Sequence, residues 1–350
     1  MSKVIDNKCL ACNAPIKFDP KLGKFKCEYC KSEFTAEQLK DMSNKKISTE
    51  EEAIDDKYVT YNCPDCGANI ITDEETAATF CIYCGNSSII KNRLTGKFAP
   101  SKIIPFKTTK EDAIKAFKGL KKGRPLVPKS FISEKNIEKI TGVYIPFWLF
   151  DIMVDGTIEV KGTKIKTWIS GNKRYTRTDI YDVERTGNMK YDRIPVDGST
   201  KFNDEIMNTI EPFDYNELVD YNHAYLSGFL AEKYNVDEKE SFEFAKNRAL
   251  SSSKDLMMND MIGYTTKTEK KNTLSPIEQN TEYVLLPVWM VNIKYKEKFY
   301  LFAMNGQTGE FVGDIPLDKK KAVISGIISF VITFVIAVIG SYIIFKVGNK

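Results

Sequence analysis

The chain has 350 residues, 42% hydrophobic and 28% charged, with 51 basic residues against 47 acidic ones. These values exclude a disordered or collagen-like chain, and the charge balance excludes a strongly basic nucleic-acid coat or an acidic tail protein. One histidine, His223, excludes any site built on a histidine pair, and all eight cysteines lie before residue 85.

The first ten residues carry no apolar run of signal-peptide length, so no cleaved export signal is expected. Cys9, Cys12, Cys27 and Cys30 form a first module over residues 1–40. Cys63, Cys66, Cys81 and Cys84 form a second over residues 58–95. Each reads C-x-x-C, fourteen residues, C-x-x-C, and each cysteine recurs 54 positions later. Ala14 with Ala68, Ile16 with Ile70 and Tyr29 with Tyr83 support an internal duplication. A C-x-x-C turn offers two thiolates from one tight bend, and two such turns complete a tetrahedron that suits Zn2+. Four thiolates leave no position for a reacting water, so two structural zinc sites are expected, with iron in the same thiolate geometry as the alternative. Gly67 and Gly85 follow the second cysteine of each turn in the second module, whereas Asn13 and Lys31 stand there in the first, where the turn is harder to build.

Residues 41–57 hold six acidic residues and three lysines and read as a short exposed helix or linker, with a capping-box start at Ser48 to Glu51. Residues 96–318 read as a mixed α+β domain with antiparallel strands. Helices are expected at 110–120, 215–233 and 237–258, the second from Leu218, Tyr221, Tyr225 and Phe229 at helical spacing. Strands are expected at 143–154, 157–169, 174–186, 188–196, 282–294 and 298–304, with turns at SGNK (170–173) and NGQTG (305–309). VYIPFWLFDI at 143–152 and VLLPVWMVNI at 284–293 align Pro146 with Pro287, Trp148 with Trp289 and Ile152 with Ile293. This shared P-x-W predicts two similar β units in one core, each proline at a strand start, bulge or edge. The tryptophans read as buried core, a ligand groove between them being the alternative.

Ala322 to Phe345 is a 24-residue segment without a charge, preceded by Lys319, Lys320 and Lys321. At 1.5 Å per residue it spans roughly 36 Å, enough to cross a hydrocarbon core of about 30 Å. A transmembrane helix over 322–345 is expected, with the bulk of the chain in the cytoplasm and a short tail outside. Ser325, Ser329, Thr333, Ala337 and Ser341 recur every fourth residue, a small-residue stripe that permits helix-mediated oligomers.

The cysteine pattern resembles the zinc ribbon family of the TFIIB type, which implies two knuckles on β-hairpins over residues 1–95. The longer order resembles a family of bacterial single-pass membrane proteins labelled TFIIB-type zinc ribbon-containing. That order runs from twin ribbons through IIPF at 103–106, YIPFW at 144–148, PFDY at 212–215 and LPVW at 286–289 to NGQTG and one C-terminal apolar helix. Relatives are encoded beside flotillin-like (SPFH) or phage-shock-protein-A-like proteins, which implies partners of that kind and a role in membrane organisation or envelope stress.

No phosphate-binding loop, H-E-x-x-H or G-x-S-x-G is present, so no catalytic residue is assigned and the chain reads as a non-enzyme. The expected function is a membrane-anchored zinc-binding scaffold docking protein partners at the cytoplasmic face of the bilayer. The alternative is a membrane-tethered nucleic-acid-binding regulator. Charge weighs against it: residues 58–90 carry four acidic residues and no Lys or Arg, and residues 1–40 only eight Lys against five acidic residues. Tyr29 and Phe25 are the aromatics of the first module that could stack on bases.

Overall fold

A computed structural model describes residues 9–14, 16–39, 58–63, 69–73, 81–82, 90–93, 100–128, 130–201, 204–226, 228–296 and 298–348. The linker expected at 41–57 lies outside the described residues, as do Cys66 and Cys84. The chain is mixed α+β, with antiparallel and mixed sheets and one long apolar C-terminal helix.

The first module is a three-stranded antiparallel sheet of β1 (Ile16–Asp19), β2 (Lys24–Cys27) and β3 (Glu33–Phe34). Alternation along β1 and β2 turns Ile16, Phe18, Phe25 and Cys27 inward and lysines outward. Gly23, at φ +62°, closes the β1–β2 turn by donating its N–H to Asp19 O at 2.9 Å.

The remaining strands form one sheet. In chain order they follow as β4 (Tyr58–Asn62), β5 (Asn69–Asp73), β6 (Ile90–Arg93) and β7 (Lys102–Ile103), then helices α1 (Lys110–Gly119) and α2 (Glu134–Ile137). The hairpin β8 (Thr141–Ser170) and β9 (Lys173–Asp197) comes next, then α3 (Asp204–Ile210), β10 (Val219–Asp220), β11 (Leu230–Glu232) and α4 (Glu238–Asp260). The series ends with β12 (Thr266–Asn272), β13 (Ser275–Tyr295), β14 (Lys298–Asn305), β15 (Phe311–Gly313) and α5 (Lys319–Gly348). The principal strand order is β10-β7-β13-β8-β11-β5-β4-β6. β5 therefore joins the sheet of the middle region, pairing Ile71 with Ala231 of β11.

The two P-x-W segments lie side by side as antiparallel neighbours. Ile145 pairs with Leu286, which are equivalent positions of the repeat, so a local two-fold axis passes through that pair. The symmetry extends outward. β8 takes the short parallel strand β11 at Val143 and Tyr144 and the antiparallel β9 from Phe147 onward. β13 takes the short parallel β7 at Val284 and Leu285 and the antiparallel β14 from Val288 onward. Each proline stands where one lateral neighbour ends and the next begins, so its missing N–H leaves no ladder bond unmade. Its carbonyl is used instead: Gly198 N–H donates to Pro146 O at 2.9 Å and Gly306 N–H to Pro287 O at 2.8 Å. Both tryptophans are core, 8% and 6% exposed, with indole N–H groups donating to Val236 O and Thr108 Oγ1.

Helices α1 and α4 start at equivalent places, just after those bonds. Thr109 caps α1 by accepting from Asp112 N–H, and Asp237 caps α4 by accepting from Glu240 N–H. α4 lies over β8 and β9 through Ser241, Ala245, Ala249, Ser253 and Met257, a stripe at helical spacing.

The four strands expected between 143 and 196 are two continuous ones. The expected breaks coincide with Gly156 and Gly187, which face each other across the β8–β9 ladder. These glycines make room rather than interrupt pairing. A Cβ on Gly156 would meet Thr273 O at 2.6 Å, and one on Gly187 would meet Met257 at 3.2 Å.

The helix expected at 215–233 is not formed. Asp214 and Asn222 accept hydrogen bonds from backbone N–H groups two residues on, which starts short 3-10 turns at Tyr215–Glu217 and His223–Leu226. Gly228 at φ +87° then releases the chain into β11. Tyr221, Tyr225 and Phe229 are all buried, so their periodicity marked a core-facing segment, but strand pairing decided its backbone.

Candidate metal centre

Each first-module knuckle is closed by the same two backbone bonds. Asn13 N–H donates to Cys9 O and Cys9 N–H to Ala14 O, at 2.8 and 2.6 Å. Lys31 N–H donates to Cys27 O and Cys27 N–H to Ser32 O, at 3.0 and 2.9 Å. Asn13 and Lys31 take φ of 61° and 64°, the left-handed conformation that the sequence supplies with glycine in the second module. Turning the chain this way aims both cysteines of a knuckle at one point.

The four sulfurs of Cys9, Cys12, Cys27 and Cys30 lie within 4.8 Å of one another. Cys9 and Cys30 are 3.4 Å apart and Cys12 and Cys27 3.6 Å, well beyond a disulfide bond. A zinc–thiolate tetrahedron with bonds of roughly 2.3 Å has edges of roughly 3.8 Å, so the cluster is sized for such an ion. Cys9 and Cys27 are buried and Cys12 and Cys30 exposed, so the centre lies at the edge of the small sheet. Ser32 Oγ lies 3.2 Å from Cys30 Sγ, and its hydroxyl and N–H favour the thiolate, lowering the Cys30 pKa to about 6.

In the second module Cys63 and Cys81 are both buried, in one apolar cluster with Ile70 and Ile82. Phe25 is fully buried, whereas Tyr29 is 84% exposed. The first module packs on the middle region through Phe18 and Phe25, whose rings both lie 5.0 Å from that of Tyr225. The spacing of the cysteines anticipated the four-sulfur cluster, but no sequence signal marked this contact, because Tyr225 carried only a periodicity signal.

A cleft of about 410 Å3 opens between β9, α3 and α4, with Phe147, Met207, Glu211 and Arg248 among its walls. Burial raises the Glu211 pKa to about 7 against the opposing charge of Arg248. Arg248 donates to Pro195 O at 2.8 Å. No sequence motif marked this cleft.

α5 is long and apolar enough to cross a membrane, with mean hydropathy 2.8 over its most apolar stretch and no part of that stretch buried against the rest of the chain. No family model matches the chain. No solved structure matches it. It is similar to a protein of Bacillus subtilis strain 168, "Uncharacterized protein YdjG", at 38% identity over 312 residues, which covers 75% of this chain and 92% of that protein. At that identity and coverage the chain belongs to the family of YdjG.

Proposed function

We propose that the chain is a membrane-anchored, zinc-binding scaffold. Its first zinc is held by Cys9, Cys12, Cys27 and Cys30 on a zinc ribbon. A second is held by Cys63, Cys66, Cys81 and Cys84. α5 crosses the bilayer, with the body in the cytoplasm and the tail outside, and the body docks protein partners there. The resemblance to the twin-ribbon membrane family points to flotillin-like or phage-shock-protein-A-like partners in membrane organisation or envelope stress.

The observation that carries this reading is the β8–β9 arm. β12 leaves β8 at the Thr266–Thr163 pair, and beyond Ile165, whose N–H donates to Thr265 Oγ1 at 3.0 Å, β8 pairs only with β9 up to the turn at Gly171. Isolated two-stranded ribbons are marginal in water. This one exposes Trp168 at 49%, Ile169 at 71% and Tyr175 at 43%. Exposed aromatic and aliphatic groups on a projecting arm suit a protein partner. Crosslinking and affinity purification from native membranes tests this. Trp168→Ser/Ile169→Ser should lose partners that the parent retains, with zinc content unchanged. Recovery of the same partners by both refutes docking through the arm. Metal analysis should give two zinc per chain, and a value well under two removes the second site. A C-terminal reporter active only in the cytoplasm contradicts the orientation.

One observation favours the nucleic-acid reading. Trp168 and Tyr175 stack at 5.7 Å, and the adjoining cross-strand pair is Lys166 with Arg177, two cations. Like charges face to face cost stability unless an anion covers them, and stacked rings beside cations suit single-stranded nucleic acid. Arg177 has Asp179 at 2.8 Å, which relieves part of that cost and keeps the scaffold reading first. Gel-shift binding of a single-stranded oligonucleotide at physiological salt, lost as salt rises, would reverse the order.

A further inference from the structure

A dense cluster of exposed cations lies where the chain enters α5. Asp318 N–H donates to Leu126 O at 2.9 Å, and Lys321 Nζ donates to Val127 O at 3.1 Å. The first turn of α5 is therefore bonded to the loop that follows α1. The last turn of α1 and that loop expose Lys118, Lys121, Lys122 and Arg124. Phe131, just beyond it, sets its ring edge-on to Tyr295 and Tyr300 at 5.9 and 5.6 Å. This contact brings the β13–β14 turn alongside, with exposed Lys294, Lys296 and Lys298.

Asp318 accepts from the N–H groups of Lys320 and Lys321 at the start of α5. Among the described residues no ion pair engages Lys121, Lys122 or Arg124. The apolar groups at the same end are Phe299, 53% exposed, and Leu317, 64% exposed. Lys294 Nζ sits 5.9 Å from the Phe299 ring centre and Lys296 Nζ 5.4 Å from that of Tyr295. Lysines beside aromatic rings combine a headgroup contact with an interfacial one.

We propose that the loop after α1 and the β13–β14 turn form a docking surface for anionic phospholipid headgroups. The surface holds the folded body against the bilayer rather than letting it swing from its anchor. The proposal rests on α5 spanning the membrane. Given that span, Lys319 and Lys320 lie at headgroup level. Arg124 is two residues from Leu126, a reach of at most about 7 Å, and Leu126 is bonded to the helix start. That places Arg124 within about one Debye length, roughly 8–10 Å, of the lipid charge, with Lys121 and Lys122 on the same loop.

The full chain in nanodiscs provides the test, with phosphatidylcholine alone compared with phosphatidylcholine containing one-third phosphatidylglycerol. Resistance to alkaline carbonate extraction in native membranes is checked first. Release by carbonate fails the span itself and overturns the proposal with it. For an inserted chain, amide exchange over 118–127 and 294–300 should slow about tenfold in the anionic discs and recover in 0.5 M salt. Lys121→Glu/Lys122→Glu/Lys296→Glu should abolish the slowing while exchange in β8 and β13 stays unchanged. Equal exchange in the two lipids, or slowing that survives the triple substitution, overturns the surface and leaves the anchor standing.

Discussion

At the scale of single residues, the two knuckles show how a four-cysteine cluster tolerates an unfavourable backbone. Asn13 and Lys31 both adopt positive φ, where an L-residue pays about 1–2 kcal/mol and a β-branched one more. Asn lowers that cost with its short polar side chain, but Lys31 has no such help. Lys31→Val should therefore speed zinc loss to a chromogenic chelator severalfold, whereas Lys31→Gly should lose zinc no faster than the parent. The clustering of Cys9, Cys12, Cys27 and Cys30 was legible in their spacing, and the strain at 13 and 31 was legible because the second module carries glycine there. Glu211 was not legible, since its burial comes from segments distant in sequence. Its pKa is raised to about 7 from an ordinary 4.5, so between those values the native state holds more protons than the unfolded one. Stability should fall as pH rises through that window. Glu211→Gln should flatten the fall by roughly 1–2 kcal/mol after discounting for partial exposure, measured by urea unfolding at pH 5 and pH 8.

At the scale of elements, the middle region is a duplicated unit in which a short parallel strand, a capped helix and a long hairpin strand each appear twice. The P-x-W half of each unit was visible because proline and tryptophan are rare and answer to the same two constraints, a missing N–H and an indole needing an acceptor. The other half was invisible. β7 and β11 are short, and the caps Thr109 and Asp237 do one job with different residues. Gly198 and Gly306 also share a role, each bonding the proline carbonyl and accepting from two N–H groups of the opposite unit. Their surroundings differ. A Cβ on Gly306 would meet the Phe106 ring at 2.7 Å and Pro287 Cβ at 2.8 Å, whereas on Gly198 the nearest atoms stand at 3.2 Å. Gly306→Ala should cost about 1–3 kcal/mol in chemical unfolding and Gly198→Ala clearly less. Equal costs would mean the two units relax alike and that ring packing does not decide the difference.

At the scale of the whole molecule, the small first sheet matters because it cannot stand by itself. Its inward face is little more than Ile16, Phe18, Phe25 and the cysteines, too small a core to fold without help. The Tyr225 ring that receives Phe18 and Phe25 is one support, and an ion held by the four thiolates, as proposed above, would be a second. Tyr225 sits in the segment between β10 and β11, and β11 is bonded on one side to β8 and on the other to β5. One short strand thus joins the middle core to the second cysteine module, while its flanking 3-10 turn receives the first. Removing metal should therefore loosen one end of the molecule and spare the other. Treatment of the full chain in detergent with a strong zinc chelator should raise amide exchange over 9–34 by more than a hundredfold and over 221–229 by less. The β8–β13 ladder should stay better protected, because it pairs continuously from Thr141 to Asp155 around Ile145, Leu286, Phe147 and Val284, although Cys63 and Cys81 belong to the same apolar cluster. Uniform loss of protection would mean that the metal sites and the duplicated core fold as a single cooperative unit, and the ribbon would then be a keystone of the fold rather than a module docked on it.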